Sequence, residues 1–444
     1  MVNIWRCIEV VVTRATRNRF VGVEPARGFE SHHLRQKSQY TPDCILCFSF
    51  YGGFMDFYRR AKQLEDEIIS HRRFLHRNAE CGIDLPVTKK YVCDRLKEYG
   101  IQPQDCGCGI SAAIGRGKPV ILLRADMDAL PMKEESGEDF ASITNAAHTC
   151  GHDFHTAMLL GAAKLLKECE SELKGTVKLM FQPGEEILAG AKNMIENGIL
   201  ENPVPDAALA FHVAAGNLPG GMFMYNSRDA MMCSCNNFRI VIKGKGGHGA
   251  YPHLAVDPVN IAVQIHQAFR NIVPMIKQPD SVCTLSVCRI SGGDSPNIIP
   301  DSAVMEGALR TDSEECRNKI KDKIMQISSH TAQLYGGSAS VSWLADVPSL
   351  VCDGKLTEDM TAYLSEMTEA FTTPVADMKA GASEDFACVA EKVPSAMFYI
   401  SAGFSDERGK FSAHNPKVRF NEEVCAKGAA AYAHCASRWL EENQ

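Results

Sequence analysis

The sequence predicts an α/β protein whose main domain has a central mixed β-sheet flanked by helices, with a smaller α+β domain inserted into it. Short, almost wholly apolar runs alternate with segments of helical period between residues 55 and 228, as expected for buried strands joined by helices. Residues 234–344 follow a different order of elements. The length of 444 residues also exceeds what one small domain needs.

The main domain is predicted to comprise residues 55–233 and 345–444. Its strands are assigned to apolar runs, which are residues 119–123, 176–181, 207–211 and 396–401. Its helices are assigned to segments with helical spacing, which are residues 55–74, 158–169 and 424–440.

The inserted domain, residues 234–344, has the predicted order β-α-β-β-α-β. The segments are, in sequence, 237–245, 257–272, 282–290, 303–310, 313–334 and 339–343. Asp257 followed by Pro258 supplies an N-cap and a first turn for the first of the two helices. This order is that of the ferredoxin-like split βαβ unit.

Residues 1–54 differ from the rest of the chain. They contain seven Lys or Arg against four acids, in a chain whose net charge is −7, and no helical or strand period persists through them. We expect this segment to be an extension, either disordered or upstream of a natural start at Met55. The alternative is a transit peptide, because the segment is rich in arginine, although it is not free of acids.

Composition excludes several classes of protein. No long basic run is present, which argues against a nucleic-acid partner, and no apolar run reaches the roughly 18 residues that cross a membrane. Arg6 and Glu9 interrupt the apolar start, so it does not have the pattern of a signal peptide. We therefore expect a cytoplasmic protein whose 18 cysteines are mostly thiols.

The segment from His148 to His155 is dense in side chains that bind metals. Three histidines, one cysteine and one aspartate fall within eight residues. Cys150 and His152 are two positions apart, so an extended backbone would aim a thiolate and an imidazole at one point, and Gly151 between them permits close approach. Thiolate and imidazole together suit zinc and similar ions. The alternative is a polar turn that caps a helix.

Other polar groups follow the predicted strands. Asp126 and Asp128 follow the first strand, and the adjacent acids Glu185 and Glu186 follow the second. Adjacent carboxylates can take different roles, one binding a metal and the other acting as a general base. Taken singly, the first pair is better explained as a solvated loop or a capping acid, and the second pair as an acidic helix N-terminus.

Two histidines also follow strands. His212 directly follows the run 207–211, and His414 follows the run 396–401 after a glycine-containing loop. Each alone could be a core histidine. Open α/β sheets, however, place ligands at strand ends. The candidate ligands that follow these strands number five, which is more than the three or four that one zinc ion takes. The pattern therefore predicts a pair of metal ions about 4 Å apart.

In these motifs the chain resembles the M20 metallopeptidase family, in its amidohydrolase branch of aminoacylase, hippurate hydrolase and indole-acetyl-amino-acid hydrolase type. The resemblance extends from about Met55 to Trp439. The motifs that carry it are RADMDALP (124–131), HTCGHDFHT (148–156), FQPGEE (181–186), FHV (211–213), GKGGHGAYPH (244–253), DPVN (257–260), SGGDSPNIIP (291–300) and HNPKVRF (414–420).

The resemblance implies a role for each of several residues. The implied ligands of two divalent ions are Cys150, His152, Glu186, His212 and His414. Cys150 is expected to bridge the two ions, Glu185 to act as general base, and Asp126 to orient a ligand. The family branch is commonly assigned Mn²⁺, whereas thiolate ligation favours Zn²⁺, and Co²⁺ or Ni²⁺ would suit the same ligands.

The resemblance also implies a reaction, which is hydrolysis of the amide bond of an N-acyl amino acid. His248 and Asn297, both in the inserted domain, are expected to contact the substrate. A four-stranded sheet has an exposed edge, so we expect a homodimer formed through this lid or dimerisation domain, with His248 reaching the partner subunit. The alternative is a monomer in which His248 closes over its own site by hinge motion. The alternatives are a dipeptidase or aminopeptidase of the same architecture, and a metal-buffering protein without catalysis.

Overall fold

The computed structural model describes residues 50–51, 54–367 and 375–444. The predicted extension therefore lies outside the described residues, apart from the short strands at its end. The strands are β1 (Phe50–Tyr51), β2 (Phe54–Met55), β3 (Gln104–Cys106), β4 (Gly109–Gly115), β5 (Val120–Asp126), β6 (Thr176–Gln182), β7 (Ala207–Ala214), β8 (Phe223–Met224), β9 (Ala230–Met232), β10 (Cys235–Lys243), β11 (Gly247–His248), β12 (Cys283–Ser291), β13 (Ile298–Ile299), β14 (Ser302–Thr311), β15 (Ser338–Val347), β16 (Leu350–Val351) and β17 (Ser395–Ser401).

The α-helices alternate with these strands in the main domain, and two long helices lie on one face of the sheet formed by β10, β12, β14 and β15. They are α1 (Phe57–Gln63), α2 (Glu65–Arg77), α3 (Pro86–Glu98), α4 (His152–Glu168), α5 (Gly190–Glu196), α6 (Pro258–Phe269), α7 (Ile272–Ile276), α8 (Glu314–Leu334), α9 (Gly354–Glu366), α10 (Ala387–Ala390) and α11 (Val424–Glu442). Within the described residues, none of them is both long and apolar enough to cross a bilayer.

The main sheet has seven strands in the order β3-β4-β6-β5-β7-β17-β8. The four middle strands, β6, β5, β7 and β17, run parallel, while β3, β4 and β8 are antiparallel to their neighbours. The prediction of a central mixed sheet flanked by helices is confirmed. Because parallel strands end at the same edge, the polar residues that follow β5, β6, β7 and β17 converge there.

Both faces of this sheet are buried, which explains why its strands are almost wholly apolar. Along β5, Ile121 and Leu123 pack into a cluster formed with α4 and α11, whereas Leu122 packs into a second cluster on the opposite face. Side chains that alternate between two buried faces must all be apolar. The predicted helix from Met55 to Phe74 is instead two helices meeting at Leu64, so that α1 packs on α11 and α2 on α4.

Residues 235–347 form a second sheet, with the strand order β12-β14-β10-β15 and antiparallel neighbours throughout. Helices α6 and α8 cover one face, where Ile240 of β10 packs with Ile261 and Ile320. This strand order is that of a split βαβ unit. The chain enters through β9 and leaves through β16, which pair with each other, and β15 continues three residues beyond the predicted boundary at residue 344.

Candidate dinuclear metal centre

Cys150 and His152 begin the site, at the N-terminus of α4. Gly151 between them has a φ of 91°, a left-handed conformation, and a Cβ atom there would lie 2.3 Å from Cγ2 of Val213. Only glycine fits this position, because side-chain-bearing residues are strained there and the neighbouring valine leaves no room. The sharp turn directs the Cys150 thiol and the buried His152 ring towards the end of β7.

The five residues predicted as ligands come together at the carboxyl edge of the sheet. The Sγ atom of Cys150 lies 3.6 Å from Nε2 of His212 and 3.3 Å from Nε2 of His414. The Oε1 atom of Glu186 lies 3.6 Å from Nε2 of His414 and 3.9 Å from Nε2 of His152. The donor atoms form two groups that share Cys150, one with His152 and His212 and the other with Glu186 and His414.

Several donor atoms of this group have no hydrogen-bond partner in the described part of the chain and are free to bind a metal. Both ring nitrogens of His152 and the Oε1 atom of Glu186 are buried without a hydrogen-bond partner among the described residues. His212 donates from Nδ1 to the carbonyl of Val213 over 2.7 Å, which leaves Nε2 unprotonated and facing Cys150. Burial also lowers the pKa of His212 well below its usual range. Imidazole nitrogens, a cysteine sulfur and a carboxylate form a donor set that fits two divalent ions.

His414 reaches this group from the loop after β17. Its backbone N–H donates to the carbonyl of Thr149 over 2.9 Å, and its φ of 65° is unusual for a residue with a side chain. Such strained backbone persists only where the surrounding structure holds it. The ring is about half exposed, so of the five it is the most accessible to solvent.

Glu185 lies beside the two ligand groups, and hydrogen bonds to Asp128 fix its backbone. The backbone N–H groups of Glu185 and Glu186 donate to the two carboxylate oxygens of Asp128, each over 3.0 Å. The Glu185 carboxylate lies 3.9 Å from Nε2 of His152. Burial raises the pKa of Glu185 well above its usual range, and the nearby charge of Glu384 raises it further.

Asp126 is fully buried beneath His152. Its Oδ1 atom accepts a short hydrogen bond from Nδ1 of His155, and its Oδ2 atom accepts one from Arg124 over 2.8 Å. His155 in turn accepts from the backbone N–H of Val213 over 2.8 Å. Oδ2 is also 3.7 Å from Nε2 of His152. Both carboxylate oxygens are therefore engaged, an arrangement that suits orientation of a ligand ring.

Glu384 and Asp385 form a buried acid pair that no sequence pattern predicted. Both are about 1% exposed, and both accept hydrogen bonds from the buried guanidinium of Arg124. With Glu185 they form a further group, made up of three closely spaced carboxylates. One signal was available: Arg124 stands at the end of a wholly apolar strand, so it required buried acidic partners.

The two residues predicted to contact substrate lie together on the inserted domain. β11 pairs with β13, and the N–H of Gly249 donates to the carbonyl of Asn297 over 2.8 Å. His248 is exposed, and its Nδ1 atom accepts from the N–H of Ala250 over 3.0 Å, which leaves an N–H at Nε2 available as a donor. In the part of the chain that the structure describes, neither residue is hydrogen-bonded to the metal-ligand group.

Known proteins share this architecture and sequence. The family model "Peptidase family M20/M25/M40" matches residues 122–438. Thermostable carboxypeptidase 2 of Saccharolobus solfataricus is 35% identical over 85% of this chain and 96% of its own. The N-acetyl-L-cysteine deacetylase of Bacillus subtilis is 35% identical over 86% of this chain and 90% of its own.

A solved structure is similar as well. The YXEP protein of Bacillus subtilis, described as a dinuclear metal binding peptidase from the M20 family, matches with a TM-score of 0.70 and 32% identity. The match covers 86% of this chain and 99% of that one. Together with the match of the family model over most of the chain, this similarity shows that the protein belongs to peptidase family M20/M25/M40.

Proposed function

We propose that this protein is a metal-dependent amidohydrolase that converts an N-acyl amino acid to a carboxylate and a free amino acid. The observation that carries this proposal is the position of Glu185, a buried carboxylate beside two ligand groups that share Cys150. The names of the relatives agree with this chemistry. A deacetylase of N-acetyl-L-cysteine and a carboxypeptidase both break an amide bond whose nitrogen belongs to an amino acid with a free carboxylate.

In this proposal the two ions are held by Cys150, His152, Glu186, His212 and His414. Divalent ions at such a site lower the pKa of water and polarise a carbonyl. The proposed native ion is Mn²⁺ or Zn²⁺, and Co²⁺ or Ni²⁺ would suit the same donors. Asp126 orients the His152 ring through the contacts described above.

Glu185 takes a proton from the attacking water and delivers it to the nitrogen of the leaving amine, so that the amide C–N bond breaks. His248 donates from Nε2 to the oxyanion that develops on the carbonyl oxygen. Asn297, beside it on the same domain, contacts the substrate. Because His248 belongs to the inserted domain, closure of that domain completes the site.

Metal removal and a substrate panel test the proposal. Protein purified without chelator should hydrolyse N-acetyl or N-benzoyl amino acids, should lose at least about 99% of this activity after treatment with chelator, and should regain it with Mn²⁺ or Zn²⁺. Metal analysis of the untreated protein identifies the native ion. Hydrolysis that is insensitive to chelator, or no hydrolysis of any amide, would contradict the proposal and favour a metal-buffering role.

The second candidate function is a peptidase, which the similarity to a carboxypeptidase favours. The ratio of kcat/KM values on matched substrates separates the two. The kcat/KM value for an N-acetyl amino acid should exceed that for a free dipeptide with the same C-terminal residue by about tenfold or more. A free dipeptide would place its charged amine next to two cations, which repel it. The reverse ratio would assign the protein to the peptidases.

We also propose that the protein is a cytoplasmic homodimer joined through residues 234–344. Fifteen cysteines among the described residues are free thiols, as is usual in a reducing compartment. The inserted sheet has edge strands β12 and β15, and His248 makes no hydrogen bond to the ligand group of its own chain among the described residues. A partner subunit would cover an edge and supply His248 in trans.

A complementation experiment tests this arrangement. Glu185→Gln and His248→Ala are each expected to be inactive, and the two proteins are mixed after dissociation and reassociation. If His248 acts across the dimer, random exchange should restore about a quarter of the wild-type activity, since half of the dimers then carry one intact site. No recovery, despite subunit exchange proven by differently tagged chains, would place His248 in its own chain's site.

A further inference from the structure

The segment Ala382–Asp385 lies between the inserted domain and the proposed general base. On one side, the backbone N–H of Cys233, next to the start of the inserted domain, donates to the carbonyl of Ala382 over 3.0 Å. The guanidinium of Arg310, on β14 of the inserted sheet, donates a short hydrogen bond to Oγ of Ser383. The segment is therefore attached to the inserted domain by a backbone contact and a side-chain contact.

On its other side, the same segment contacts the catalytic edge of the main sheet. Glu384 accepts from Arg124 over 2.8 and 3.3 Å and from the N–H of Phe386 over 2.9 Å. Carboxylate oxygens of Glu384, Asp385 and Glu185 all lie within 4.8 Å of one another. Glu384 is only 1% exposed, so it is positioned to act on its protein neighbours rather than on substrate.

The position of Glu384 is tightly determined. Arg124 also binds Asp126, Asp385 and Gln182, over 2.8, 3.1 and 2.9 Å respectively, so its guanidinium cannot move without breaking several buried contacts. A carboxylate held at one place exerts a directed repulsion on a neighbouring carboxylate, and the repulsion is strong where water is excluded. Such repulsion favours the orientation of Glu185 seen here, in which its carboxylate lies 3.9 Å from Nε2 of His152.

We propose that Glu384 is a positioning residue for Glu185, and that Arg310 links its position to that of the inserted domain through Ser383. This inference rests on the proposed function, in which Glu185 is the general base. Movement of β14 is transmitted to Ser383 and from there to the adjacent Glu384. The catalytic carboxylate is then correctly oriented when the inserted domain of the same chain is in place.

Glu384→Gln tests the first step, because glutamine keeps the shape and an oxygen that can accept from Arg124. We expect kcat to fall by about 10- to 100-fold, since small misplacements of catalytic groups cost this much. KM should change by less than about threefold, because uniform substrate binding is untouched. Metal content and Tm should match the wild type. Glu384→Asp, which retains the charge, should recover part of the lost kcat.

A double-mutant cycle tests the link to the inserted domain. Arg310→Met should lower kcat by about tenfold, and the combined variant with Glu384→Gln should be little worse than Glu384→Gln alone, since both changes interrupt one chain of contacts. The matched control is Arg239→Met, an exposed arginine on the inner strand β10 of the same sheet that pairs with Glu306 over 3.5 Å. This control should keep wild-type kcat.

Three outcomes would overturn the proposal. A wild-type kcat in Glu384→Gln would remove its positioning role, and a parallel fall in kcat, metal content and Tm would reduce Glu384 to a structural residue. If the effects of Arg310→Met and Glu384→Gln on kcat were additive, Arg310 and Glu384 would act independently, and Glu384 would not be linked to the inserted domain. Failure of the proposed function would be distinguished from all three, because the wild-type protein would then show no metal-dependent amide hydrolysis.

Discussion

Replacing Glu185 with glutamine is expected to lower kcat by about 10³-fold, because glutamine cannot accept the proton that the attacking water must lose. The variant should keep two metal ions per chain. Glutamine has the same shape, and the backbone N–H groups of residues 185 and 186 would still donate to Asp128. The measurements are steady-state kinetics on an N-acetyl amino acid and metal analysis of the same preparation.

The matched control for this variant is Glu172→Gln, at an exposed acid remote from the ligand groups. It should behave as the wild type in both measurements. If Glu185→Gln retained wild-type turnover, Glu185 would not be the general base. If it lost its metal ions, Glu185 would instead be a ligand, and the separation of roles between Glu185 and Glu186 would be wrong.

Replacing Cys150 with alanine is expected to have an equally large effect, through metal loss. The Sγ atom belongs to both ligand groups, so its removal should weaken metal binding by at least about 100-fold and activity should fall with it. A chelator should lower the Tm of the wild-type protein, because bound metal stabilises the folded state, but should leave the Tm of the variant almost unchanged.

Cys288→Ala is the control for this prediction, since Cys288 is an exposed thiol on the inserted domain. It should keep full metal content and activity. Full occupancy by two ions in Cys150→Ala would reduce Cys150 to a buried thiol that merely contacts His212 and His414. A loss of one ion with the other retained would show that Cys150 serves a single ion and does not bridge.

The main sheet and the ligand group follow from local patterns in the sequence. Strands buried on both faces must be apolar, which identified β5, β6 and β7 to within a few residues. Parallel strands end at one edge, so polar residues after each of them were expected to meet, and Cys150, Glu186, His212 and His414 do. The edge hairpin of β3 and β4 was not predicted, because its short strands include exposed residues and lack a continuous apolar run.

Glu384 illustrates what only the tertiary structure decided. It is separated from Arg124 by 260 positions and from Glu185 by 199 positions, and no spacing rule connects residues so far apart. The contact arises because Arg124, at the end of a buried strand, needs acidic partners that the neighbouring loop supplies. The attachment of that loop to Arg310 likewise depends on how the inserted domain packs.

The sequence by itself determined the type of fold, the order of elements and the residues able to bind metal, because these depend on side-chain periodicity and on ligand chemistry at strand ends. The tertiary structure decided which carboxylates stand close enough to repel one another, which imidazole nitrogen of His212 remains free, and how the inserted domain touches the site. Those features depend on distances between residues remote in sequence, which are set only when the apolar faces pack and the buried charges find partners.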